Sequence, residues 1–71
     1  MDDIEQINEL AQIDAPYGKK ITLNSVSYDN GFNLIRLRIK EGKRFTDMDL
    51  DVNTVKELET VFSTWLSKQA T

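Results

Sequence analysis

The sequence predicts a small α+β domain of element order αβββα, a three-stranded antiparallel meander with helices packed on one face. Three observations predict it. An Asn-Gly pair at residues 30–31 separates two strand-like runs, apolar and charged residues alternate over 32–40 and 45–52, and apolar residues recur at helical spacing near both ends. Leu, Ile, Val and Phe supply 20 of the 71 residues, above the roughly 20 % below which chains stay disordered, so one folded domain over 1–71 is expected.

The first element is read as a helix over residues 3–13. Asp2 or Asp3 caps it, Ile4, Ile7, Leu10 and Ala11 share one face, and Glu5 suits the positive end of the helix dipole. Pro16 disfavours helix at Ala15, and Gly18 permits the chain to reverse. The first strand covers 21–28, where the alternation slips: Ile21 and Leu23 have one parity, Val26 and Tyr28 the other. Either a β-bulge near Asn24 and Ser25 brings all four to one face, or Ile21 and Leu23 lie on the opposite face.

Asp29-Asn30-Gly31 is the hairpin signal, and a type I′ turn there needs positive φ at Asn30 and Gly31. The second strand, 32–40, sends Ile35, Leu37 and Ile39 one way and Arg36, Arg38 and Lys40 the other. After a turn at 41–44, the third strand, 45–52, sends Met48, Leu50 and Val52 one way and Asp47, Asp49 and Asp51 the other. Closing that hairpin at Gly42-Lys43 sets Arg38 opposite Asp47 and Arg36 opposite Asp49; closing it one residue earlier sets Arg36 opposite Asp47. Thr54 followed by Glu57 has the capping-box pattern for a helix to about Lys68, with Val55, Leu58, Phe62, Trp65 and Leu66 as its apolar stripe and Val61 beside it. That helix is expected to cover a sheet face made of Val26, Tyr28, Ile35, Leu37, Ile39, Met48 and Leu50. The leading helix lies beside it or crosses to a partner.

Composition narrows the function. With no Cys and no His, thiolate chemistry, Ser–His catalysis and the usual zinc, haem and iron–sulfur ligand sets are excluded. The three glycines are isolated and build no phosphate loop. Asp47, Asp49 and Asp51 could hold a divalent cation loosely, but the glycine and distal glutamate of a calcium loop are missing. The expectation is a non-enzyme with no cofactor and no metal. An acidic N-terminus and the lack of a long apolar run point to a cytoplasmic protein without membrane contact.

Charge is uneven. Residues 15–46 carry seven cations and two acids, whereas the flanks carry two cations and ten acids. The face shared by Phe32, Leu34, Arg36, Arg38, Phe45, Asp47 and Asp49 supports three readings. It is a solvated ladder of opposite charges that sets strand register, a protein-contact or homodimer surface, or a platform for single-stranded nucleic acid. The three aspartates and an isoelectric point near 4.7 weigh against nucleic acid. The chosen reading is a protein-interaction or homodimerisation module, with weak single-strand binding as the alternative. A core this small rarely stabilises a chain by more than ~3–5 kcal/mol, so self-association is a natural aid. Trp65 on the helix stripe is core or interface anchor.

Arg36 and Lys40 on a strand, and the passage from Leu50 on a strand to Leu58 on a helix, resemble the Whirly-related single-stranded-DNA-binding transcriptional coactivators over about residues 21–66. That resemblance implies a curved antiparallel sheet followed by one dimerising helix. The family has four strands and no leading helix, and no acidic strand of this kind. The whole chain also resembles small bacterial proteins grouped only as a family of unknown function, which implies no activity.

Overall fold

A computed structural model describes residues 5–69. The order is β1 (Glu5–Ala15), a turn (Pro16–Gly18), β2 (Lys19–Tyr28), β3 (Asn33–Glu41), β4 (Arg44–Leu50) and α1 (Val52–Gln69). The strands form one antiparallel sheet in the order β1-β2-β3-β4. The protein is α+β as expected, but it is ββββα.

The expected leading helix is the correction. Residues 5–15 form an edge strand paired with β2, from Glu5 opposite Tyr28 to Ala15 opposite Lys19. The proposed caps Asp2 and Asp3, and Ile4, lie outside the described residues. The pairing shifts by one between Glu9 and Ala11, so Leu10 is an extra residue in β1. Ile7, Leu10 and Ile13 fall three apart, yet across this shift the register puts Ile7 opposite Val26 on one face and Ile13 opposite Ile21 on the other. A short run of threes imitates a helix, and the partner strand decides between them.

Of the two alternatives for β2, the bulge at Asn24-Ser25 is absent and Ile21 and Leu23 lie on the face opposite Val26 and Tyr28. From Lys20 opposite Lys40 to Ser27 opposite Asn33, β2 and β3 pair without interruption. Ile21 and Leu23 therefore share a face with Ile39 and Leu37. Val26 and Tyr28 lie on the other face with Leu34 and Arg36, not with Ile35 and Leu37. The sheet's apolar face consists of cross-strand rows. Ala11, Leu23, Leu37 and Met48 form one, Ile13, Ile21, Ile39 and Thr46 the next, and Ser25, Ile35 and Leu50 a third.

The turns follow from residues that tolerate left-handed backbone. Asp29-Asn30-Gly31 is a three-residue loop and not a type I′ turn. Gly31 alone there has positive φ, 87°, and the Asn30 Oδ1 accepts the Phe32 N–H at 2.9 Å. Gly42, with φ of 61°, stands first of the two residues between Glu41 and Arg44, where a type II′ turn uses glycine. Tyr17 is an exception, held at φ 66° without being glycine.

The helix begins earlier than its sequence motif implied. The Thr54 N–H donates to Asp51 Oδ1 at 2.8 Å, and the Val55 N–H donates to the Asp51 carbonyl at 3.0 Å. Asp51 is thus the N-cap and Thr54 the third helical residue, so the box at Thr54–Glu57 lies inside the helix. Val52 consequently belongs to α1 and not to the last strand.

The expected covering of the sheet by this helix is only partial. α1 meets the sheet at its first turns, where a cleft beside β3 is lined by Ser25, Ile35, Leu50 and Val55. Beyond Leu58 the stripe is uncovered, with Val61, Phe62, Trp65 and Leu66 each about 60 % exposed. Among the described residues only Val26 and Leu50 are buried apolar side chains. Replacing Asp51 with Ala is expected to lower the thermal midpoint by roughly 5 °C at fixed protein concentration. Thr54→Val, which leaves the cap oxygen and the backbone donor intact, is expected to shift it less.

Candidate functional site

Register places Leu34, Arg36, Arg38, Phe45, Asp47 and Asp49 on the sheet face away from the apolar rows, and Phe32, which precedes β3, joins them through its ring contact with Tyr28. Arg36 lies opposite Asp49, Arg38 opposite Asp47 and Lys40 opposite Phe45. This is the pairing expected from closure at Gly42-Lys43. The alternation of β3 and β4 makes the charge ladder, because neither strand contains a bulge against the other.

Both arginines engage their aspartates through two nitrogens. Arg36 Nε and Nη2 donate to Asp49 Oδ1 and Oδ2 at 2.8 and 3.2 Å, and Arg38 repeats the pattern on Asp47 at 2.8 and 3.0 Å. Arg36 Nη2 also approaches Glu5 Oε2 at 3.6 Å, while the Tyr28 hydroxyl donates to that oxygen at 2.8 Å. One guanidinium therefore ties β1, β3 and β4. The hydrogen bonds from Arg38 and Arg36 hold the Asp47 and Asp49 carboxyls below their usual range, and the bonds from Thr54 do the same for Asp51. The Glu5 hydrogen bond pushes the Tyr28 hydroxyl up. With their oxygens committed to arginine and to the helix start, the three aspartates do not converge as cation ligands. Among the described residues no group of three carboxylates has metal-binding geometry.

The same face is not one patch. Phe32 packs near Tyr28, ring centres 5.9 Å apart, beside the row of Ile7, Val26 and Leu34. Phe45 lies at the other end, with the Arg38 guanidinium 5.3 Å and the Lys40 ammonium 5.9 Å from its ring centre. Eight residues of strand separate the level of Phe32 from that of Lys40, about 27 Å. Phe45 therefore does not join Phe32 and Leu34 in a cluster. At the Phe45 end Lys20 stands opposite Lys40.

A second exposed surface went unread as such in the sequence. It combines the uncovered apolar rows, including Ile13 and Met48, with the α1 stripe of Val61, Phe62, Trp65 and Leu66. Met48 was read as core and Trp65 was left as core or interface anchor, since spacing identifies an apolar face but not what covers it.

A family model described as "Family of unknown function (DUF6967)" matches residues 4–68, and the chain belongs to that family. No curated protein and no solved structure matches it. Among the described residues no helix is long and apolar enough to cross a membrane.

The ladder sets a pH dependence. Lowered carboxyl values mean that the unfolded chain binds more protons in the acid range. The stability from Asp47, Asp49 and Asp51 is therefore complete above the ordinary carboxylate value and is lost as pH falls through the lowered ones. Urea midpoints at constant protein concentration are expected to hold from pH 7 to about 4.5 and to fall below about 4. The fall should be shallower in the R36Q/R38Q double variant, and an identical acid slope in both proteins would contradict the ladder.

Proposed function

We propose that this chain is a non-catalytic self-association module whose working unit is a homodimer built on the apolar sheet rows and α1. The observation that carries this is the surface left uncovered. The chain exposes 5960 Å², whereas a compact folded chain of this mass exposes ~4500 Å². Its radius of gyration is 14.6 Å and its extents are 53 × 31 × 15 Å; a compact domain of this length has about 11 Å. Two copies that each remove the excess would bury ~2,800 Å² together, within the range of obligate homodimers. Charge agrees with that choice of face, because the Arg–Asp ladder already satisfies itself on the opposite side.

Dilution in a sedimentation experiment tests the reading. The wild-type chain is expected to sediment as a dimer at micromolar concentration. Phe62→Asp should weaken association by at least tenfold, since a desolvated apolar anchor is replaced by a charge. A monomer across the whole range would overturn the proposal.

A second reading is favoured by Phe45, which stands among Arg38, Lys40 and Lys20 on an open sheet end. An exposed ring among cations stacks a base and neutralises phosphates, so single-stranded nucleic acid is the alternative occupant of that end. A labelled oligonucleotide titrated at two salt concentrations decides. Binding that weakens steeply with salt and is lost in F45A supports this reading, and no binding at low salt ends it.

A further inference from the structure

Four residues of the α1 stripe have a symmetry of their own. Val55, Leu58, Phe62 and Trp65 are spaced three, four and three apart and read the same in both directions about residue 60, while Leu66 stands outside the pattern, opposite Thr54. In an antiparallel helix pair with its two-fold axis at that level, Val55 lies opposite the partner's Trp65 and Leu58 lies opposite the partner's Phe62. Charges do not clash in this register: Lys56 faces Thr64, Glu57 faces Ser63, Glu59 faces Val61, and Lys68 comes close to Asp51 at the other helix's N-terminus. Opposed helix dipoles favour the same arrangement.

The fold supplies a place for the anchor. Val55 is half-buried at the mouth of the cleft between α1 and β3, an apolar space of about 270 Å³ that Ser25, Ile35 and Leu50 also line. Trp65 and Phe62, by contrast, stand exposed past the end of their own sheet contact. A tryptophan covers up to about 250 Å² when buried, and the stripe offers no other side chain as large. Resting on the self-association reading above, we infer that a second copy of this chain docks its α1 antiparallel to the first, with the Trp65 of each copy filling the α1–β3 cleft of the other. The interface is isologous, so both clefts and both tryptophans are satisfied at once.

Trp65 is the chain's single tryptophan, so its fluorescence reports this contact directly. Acrylamide quenching of the wild-type protein is measured at a concentration where sedimentation gives the dimer, and again after dilution to monomer. The expected result is quenching at least threefold weaker in the dimer, with a blue-shifted emission. A dimer whose Trp65 is fully quenchable overturns this helix arrangement and leaves self-association standing; a protein that never dimerises overturns both. Orientation is read separately, because the chain has no cysteine of its own. Mixed L58C and F62C chains are expected to form a disulfide-linked dimer in higher yield than either variant alone. Higher yield from L58C or F62C by itself would indicate a parallel pair and overturn the antiparallel one.

Discussion

A mismatch of reach governs this molecule: its apolar helix stripe runs on where its own sheet ends, while most of the sheet's apolar face has no helix above it. α1 is 18 residues long, about 27 Å, yet only its first turns meet β3. Two apolar surfaces are thus exposed on one chain that has no cysteine for a disulfide. Such small chains gain stability from association, because apolar burial is their main source of stabilising free energy and a monomer of this shape leaves much of it unrealised.

The charged face shows the opposite condition. Each arginine of β3 is paired through two nitrogens with an aspartate of β4, and Arg36 reaches on to Glu5 at the start of β1. These contacts are exposed and contribute little to total stability, but they penalise any slip in register, since a shift by one residue would send the paired charges to opposite faces. Aspartates along β4 and the bulge in β1 also guard the two sheet edges against pairing with strands of other chains. One face therefore defines how the strands align, and the other is left to find a cover.

Much of this was legible in the residues, and the failures have physical causes. β3 and β4 were readable because their alternation is uninterrupted, and Gly42 marks the turn that aligns Arg38 with Asp47. Residues 5–15 were misread because apolar residues three apart imitate a short amphipathic helix, although the register puts Ile7 and Ile13 on opposite faces of the sheet. What distinguishes strand from helix is the partner strand, a non-local contact that no window of β1 contains. Val26 and Tyr28 were assigned to the wrong face for a related reason, since the parity slip in β2 records a true change of side and not an extra residue. The helix cap was missed by three positions because Asp51 continues the acidic alternation of β4 and looks like strand. Of the surface, the Arg–Asp ladder was visible in the pattern, but the exposure of Trp65 was not, because helical spacing is the same whether a stripe meets its own sheet or a second copy.

Small-angle X-ray scattering of the intact protein tests the central claim most directly, since it measures mass and extent together. The forward scattering is expected to give twice the 8.2 kDa chain mass. A mass of one chain would contradict the account. With a radius of gyration near 11 Å it would mean that α1 folds back over its own sheet, and with one near 14.6 Å that the extended monomer is stable with its apolar stripe in water.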